Sequence, residues 1–100
     1  MKSERFQKLV EANPDNELFR FSLGQALMEE KQEAPAIEAF DQCLAKKPDW
    51  MVASIFKGKC LLTLKQNDEA KAELQKALQL AIDQHHEDPE VEVRKLLSIL

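Results

Sequence analysis

The chain has 100 residues, 44% of them hydrophobic and 32% charged, a composition that folds as one domain and leaves too little length for two independently folded cores. Fourteen Lys and Arg against 18 Asp and Glu give a formal charge of −4, and without a basic cluster this argues against nucleic acid or an anionic membrane as partner. No apolar run approaches the roughly 18 residues of a membrane span, and the start, Met1 to Phe6, lacks a secretory apolar stretch, so a cytoplasmic protein is expected.

In chain order, residues 4–12 carry Phe6, Leu9 and Val10 on one helical side, with Ser3 as the expected N-cap and Asn13-Pro14 as the stop. Asp15 or Asn16 can cap a second helix running to about Glu30. Pro35 fits the first turn of a third helix, where its missing N–H costs no hydrogen bond. Asp49 is the expected cap of a fourth helix reaching about Leu64, and Asn67 followed by Asp68-Glu69 opens a fifth. In that fifth helix Leu74, Ala77, Leu78, Ala81 and Ile82 keep amphipathic spacing. A last helix is expected to start at Asp88 as cap and Pro89 as first residue, with Val93, Leu96, Leu97 and Leu100 along one face. No segment alternates with period two, so the fold class is all-α, with about six helices.

Displacing the chain by 34 residues aligns Gly24 with Gly58, Leu27 with Leu61, Lys31-Gln32 with Lys65-Gln66, Ala36 with Ala70 and Leu44 with Leu78. The same shift in the other direction sets Phe6 under Phe40, Val10 under Leu44 and Pro14-Asp15 under Pro48-Asp49. Residues 1–14 therefore read as the second half of a repeat, followed by repeats at 15–50 and 51–85 and a capping helix at 86–100.

The pattern resembles the tetratricopeptide repeat family. Its signature positions hold Arg20, Leu23-Gly24, Leu27, Ala36, Phe40 and Pro48 in one repeat, and Ser54, Lys57-Gly58, Leu61, Ala70, Leu74 and Ile82 in the next. The small residues and spacings hold, whereas the family's Trp and Tyr positions do not. The resemblance implies antiparallel helix hairpins stacked as a solenoid, with each glycine admitting a side chain of the facing helix. Because Ile82 replaces the late proline, the fifth helix need not stop there and is expected to run to about His85.

Little in the sequence carries chemistry. His85-His86 are adjacent on the chain and point apart, so no metal is expected. Cys43 and Cys60 lack CxxC spacing and a basic neighbourhood, which makes them packing residues. Carboxylates such as Glu38, Asp41, Glu69 and Glu73 scatter over expected solvent faces, and no phosphate loop, nucleophile motif or HExxH occurs. The expectation is a protein without cofactor and without catalysis.

What the resemblance implies instead is a peptide-binding concave face lined by the first helix of each repeat. The matching positions are Leu18, Phe21, Ser22, Gln25, Met28 and Glu29, then Val52, Ile55, Phe56, Lys59, Leu62 and Thr63. The apolar members are either an extra layer of core or a sticky groove, and Gln25, Glu29 and Lys59 can orient a ligand. Trp50, at the hairpin junction, is a wedge between repeats or a binding anchor. Family members that hold acidic chaperone tails use a clamp of several cations and amides. Here the clamp positions hold Phe21, Gln25, Ile55 and Lys59, and one lysine is no clamp. The expected function is an adaptor for an unknown protein or peptide. The alternative is a homodimer module using the apolar end Leu96-Leu97-Ser98-Ile99-Leu100 or the groove.

Overall fold

A computed structural model describes residues 1–100 as six helices and no strand: α1 (Lys2–Ala12), α2 (Glu17–Glu29), α3 (Glu33–Lys46), α4 (Met51–Thr63), α5 (Asn67–Asp83) and α6 (Glu87–Ser98). Each helix packs against the next in sequence, and α2 also touches α4. The result is a two-layer stack of about 39 × 27 × 20 Å, with α2, α4 and α6 in one layer and α1, α3 and α5 in the other.

Two kinds of turn build this stack. Pro14-Asp15 and Pro48-Asp49 form the turns that enter α2 and α4. The α2–α3, α4–α5 and α5–α6 turns each pass through one residue in the left-handed region: Lys31 (φ 61°), Lys65 (φ 59°) and His85 (φ 58°). The following N–H then reaches back to the preceding helix, from Gln32 to Leu27 O (2.8 Å), Gln66 to Leu61 O (2.9 Å) and His86 to Ala81 O (2.9 Å). These bonds satisfy carbonyls that a helix end otherwise leaves open. With Ile82-Asp83 in place of a Pro-Asp turn, α5 runs on to Asp83 and leaves by the second turn type.

The turn chemistry relocates several expected caps. Asn16 does cap α2, its side-chain oxygen accepting from the Leu18 N–H at 3.0 Å. Asp49, Asn67 and Asp88 do not cap. Trp50, Gln66 and His86 occupy the N-cap positions of α4, α5 and α6 without side-chain bonds. Gln66 and His86 take that place because the residue closing the left-handed turn already starts the next helix. Pro89 consequently lies two residues inside α6, still in the first turn, where no intrahelical N–H is needed.

Ser3 is also not a cap. It sits buried in the first turn of α1, and both its N–H (3.0 Å) and its Oγ (2.6 Å) donate to the Glu30 carboxylate at the end of α2. A side chain 27 residues away thus caps α1, and Lys2 to Glu29 (3.2 Å) adds a second tie. The two bonds from Ser3 hold the Glu30 carboxyl below its ordinary pKa, against a smaller opposing effect of burial.

The two glycines set the hairpin spacing. A Cβ at Gly24 would lie 2.6 Å from Phe40 Cε1, and one at Gly58 would lie 2.6 Å from Leu74 Cδ2. Phe40 and Leu74 are fully buried, as are Ala36 and Ala70 one turn earlier. Phe40 centres a core with Val10, Leu23, Leu27, Cys43, Leu44 and Cys60, whereas Leu74 joins Met51, Ile55, Ala77, Ala81 and Val93 in a second core under α6. Burial pushes both thiols up to about 11, so Cys43 and Cys60 stay protonated and inert.

Lys57 stands where the first repeat has Leu23, and it bridges three helices. Its Nζ lies 2.7 Å from Asp41 of α3 and 3.4 Å from Glu73 of α5, and Glu73 also accepts from Ser54 Oγ at 2.6 Å. Partial burial works against the ammonium, but the hydrogen bond to Asp41 and the two negative charges outweigh it and raise its pKa.

Candidate functional site

The layer of α2, α4 and α6, the inner one of the two, offers the candidate surface, and its composition follows from how the helices stack. Leu18 and Val52, 34 residues apart, occupy equivalent positions on α2 and α4 and are 65% and 38% exposed. Gln25, Glu29 and Thr63 are exposed as well, with Thr63 Oγ donating to the Lys59 carbonyl at 3.1 Å and Glu29 engaged by Lys2. Ser22, Gln25 and Glu29 line a shallow cavity of about 120 Å³ with Phe6 of α1. Met28 is half-buried against the first core.

The remaining apolar residues pack against a neighbouring helix, Ile55 completely and the others in part. Ile55 is 4% exposed and lies in the core beneath α6 with Leu74 and Val93. It is therefore core and unavailable to a ligand. Phe21 meets Phe56 at a centroid distance of 5.7 Å, Trp50 edge-to-face at 5.0 Å and Phe40 edge-to-face at 5.9 Å. Phe56 in turn packs on Phe40 at 5.8 Å. These four rings join the two repeats, with Trp50 as the wedge and each of Phe21, Phe56 and Trp50 only partly covered. Leu62 is likewise half-buried, against the α6 core.

Helix α6 contributes residues that its reading as a cap does not anticipate. Glu92 reaches across to Lys59 of α4 (3.3 Å), whose Nζ also lies 5.5 Å from the Phe56 ring centroid. Lys59 together with Asp88, Val91, Glu92, Lys95 and Leu96 lines a cavity of about 410 Å³, and Val91 is 50% exposed there. The spacing 88, 91/92, 95/96 marks one helical face, which is the signal by which the sequence would reveal them. Lys59, expected as a free orienting charge, is thus already paired within the chain.

The site holds no group of three or more His, Cys, Asp or Glu side chains placed to share a metal ion, and His85 and His86 are exposed in the turn before α6. No helix is long and apolar enough to cross a membrane. What the surface can do is present apolar side chains, amides and a balanced set of charges to another chain.

Comparison with known structures places this geometry. The translocator chaperone SycD of the Yersinia enterocolitica type III secretion system superposes with a TM-score of 0.88 at 19% identity, over 98% of this chain and 74% of that one. PcrH in complex with the chaperone-binding region of PopD gives 0.90 at 18% identity, over 97% and 74% of the two chains. The TPR2B domain of yeast Sti1 in complex with pHsp70 gives 0.87 at 17% identity, over 96% and 77%. No protein of curated function matches in sequence. The tetratricopeptide repeat model, however, matches residues 19–49 and 53–81, more than half of the chain, and the glycine-to-aromatic hairpins, the repeat length and the layered stack agree with it: the chain belongs to the tetratricopeptide repeat family.

Proposed function

We propose that the chain is a non-catalytic adaptor that holds an apolar segment of another protein against the inner layer of α2, α4 and α6. The observation that carries this reading is the pair Leu18 and Val52, large aliphatic side chains left exposed at the same position of successive helices where a solvated face needs none. Around them Ser22, Gln25, Met28, Glu29, Leu62 and Thr63 supply polar and adaptable contacts, and the half-covered Phe21 and Phe56 form the floor. Structures of similar fold that hold a bound partner segment, PcrH with PopD and Sti1 with pHsp70, support an interaction role. Two unpaired, buried thiols fit a reducing compartment, and we assign the protein to the cytoplasm on that ground. We take residues 15–50 and 51–85 as its repeats, 1–14 as a half-repeat and 86–100 as the closing unit.

The test is affinity capture from native extract with wild type and with Leu18→Glu/Val52→Glu. Because both side chains are exposed, the variant should keep its melting temperature and helicity and lose the captured partner. Retained capture with unchanged stability overturns the reading. The homodimer alternative draws on Ile99 (73% exposed), Leu64 and Leu100 (38% each). A dimer in light scattering that Ile99→Lys/Leu100→Lys converts to monomer would favour it instead.

A further inference from the structure

The inner layer has two junctions, α2 with α4 and α4 with α6, and they are filled differently. The three helices begin at Glu17, Met51 and Glu87, so that Phe21, Ile55 and Val91 occupy equivalent positions, as do Phe56 and Glu92. Trp50 and His86 share the N-cap position of their helices. At the first junction the joint is aromatic, with Phe21 at 5.0 Å from Trp50 and 5.7 Å from Phe56. At the second the same places hold Ile55, His86 and Glu92, and no Phe, Tyr or Trp follows Phe56 in the chain. Ile55 turns into the core beneath α6, and Glu92 reaches Lys59 at the surface. Beside them opens the cavity of about 410 Å³ whose apolar lining is Leu96 and the half-exposed Val91.

The charges around this cleft cancel. Lys59 and Lys95 stand against Asp88 and Glu92, so the lining favours neither a cationic nor an anionic occupant. The lysines do separate a ring from an aliphatic group, because an ammonium is attracted to the face of a ring and gains nothing comparable from a methyl group. Lys59 already makes such a contact, 5.5 Å from the Phe56 centroid, and Lys95 forms no ion pair within the chain. Since Lys59 touches the aromatic joint and also walls the cleft, the cleft is continuous with the interface between the repeats.

The geometry points to the cleft between α4 and α6 as the seat of an aromatic side chain, Trp, Tyr or Phe, carried by the segment that the inner layer holds. This rests on the adaptor reading and adds to it the chemistry of the partner. The partner's ring supplies at the second junction what Phe21, Trp50 and Phe56 supply at the first. One face covers Val91 and Leu96, burying apolar surface, and the ammonium groups of Lys59 and Lys95 border the other.

The experiment uses the full chain with ¹⁵N backbone and ¹³C valine-methyl labels, titrated with the synthetic peptide acetyl-Leu-Ser-Ser-Val-Ser-Ser-Trp-Ser-amide and with its counterpart carrying Leu for Trp. Packed helices lie about 8–10 Å apart and an extended chain advances about 3.3 Å per residue, so anchors three residues apart match successive helices. The Trp peptide should bind about fivefold more tightly than the Leu peptide. Its ring current should displace the Val91 methyl resonances upfield, a signature the Leu peptide lacks. Glu92→Phe, a change at an exposed side chain that sets a ring of the chain's own in the cleft, should remove both the preference for Trp and the displacement on titration. Equal affinity of the two peptides, shifts at Leu18 and Val52 without a ring-current displacement at Val91, or an undiminished Trp preference in Glu92→Phe would each overturn the ring site and leave the adaptor reading standing. Absence of any saturable shift up to millimolar peptide overturns the ring site as well, and the adaptor reading is then decided separately by capture with Leu18→Glu/Val52→Glu.

Discussion

Replacing Gly24 by alanine sets two effects of known sign against each other. In an ordinary helix the substitution stabilises by about 1 kcal/mol, because glycine loses the most backbone freedom on folding. Here the new methyl would stand 2.6 Å from Phe40 Cε1, 2.8 Å from Cζ and 3.0 Å from Cδ1. The ring has nowhere cheap to go. It is fully buried and held by Phe21 at 5.9 Å on one side and Phe56 at 5.8 Å on another, so the hairpin must open or the aromatic cluster must shift. Overpacking of this kind costs about 1–3 kcal/mol, which exceeds the propensity gain through most of its range. We therefore expect Gly24→Ala to lower stability by up to about 2 kcal/mol, and Gly24→Leu to lower it further. For a domain of this size each kcal/mol displaces the melting temperature by about 4–8 °C. The assay is urea unfolding followed by far-UV circular dichroism and by Trp50 fluorescence, repeated in a Phe40→Leu background. Trimming the ring creates room, so the double variant should be more stable than the sum of the single losses by at least ~0.5 kcal/mol. If Gly24→Ala raises the unfolding midpoint by the full propensity amount, or the two substitutions prove additive, the close approach of α2 and α3 is not what holds this hairpin.

Three further outcomes follow from the polar contacts and turns. Because the Glu30 carboxyl has a lowered pKa, its contribution is present above its unfolded value, near 4.5, and fades as pH falls through the lower folded value. Glu30→Gln should flatten the acid limb of a pH–stability profile, and an unchanged limb would refute the cap. Lys57→Met removes the partner of Asp41 and of the largely covered Glu73, and should cost about 1–3 kcal/mol in urea unfolding; pairing it with Glu73→Leu should recover part of that loss. Lys65→Gly relieves an L-residue held at φ 59° and should raise stability by up to about 1 kcal/mol, whereas a loss of stability would mean the lysine side chain contributes more than the strain.

The sequence alone determined the helical class and the repeat length, and its family resemblance implied that each glycine admits a side chain of the facing helix, which the structure identifies as Phe40 for Gly24 and Leu74 for Gly58. Those properties rest on periodicity and residue size, which are local or repeat at fixed spacing. It also offered Asn16, beside Asp15, as the cap of α2 and expected a lengthened α5 past Ile82, to about His85 where the helix ends at Asp83, since both follow from nearby backbone chemistry. Tertiary structure decided the rest. Periodicity places Phe21, Ile55 and Phe56 on one side of their helices, but only the stacking of α2, α4 and α6 determines that Ile55 is sealed and that the two phenylalanines meet each other and Trp50. The same stacking brings Glu92 to Lys59, Glu30 to Ser3, and Asp41 and Glu73 to Lys57, pairs whose partners lie 16 to 33 residues apart in sequence. A side chain's direction is written into its own helix, whereas its neighbour is set by the rigid-body relation between helices, and in this stack that relation arises from the contacts of every hairpin together.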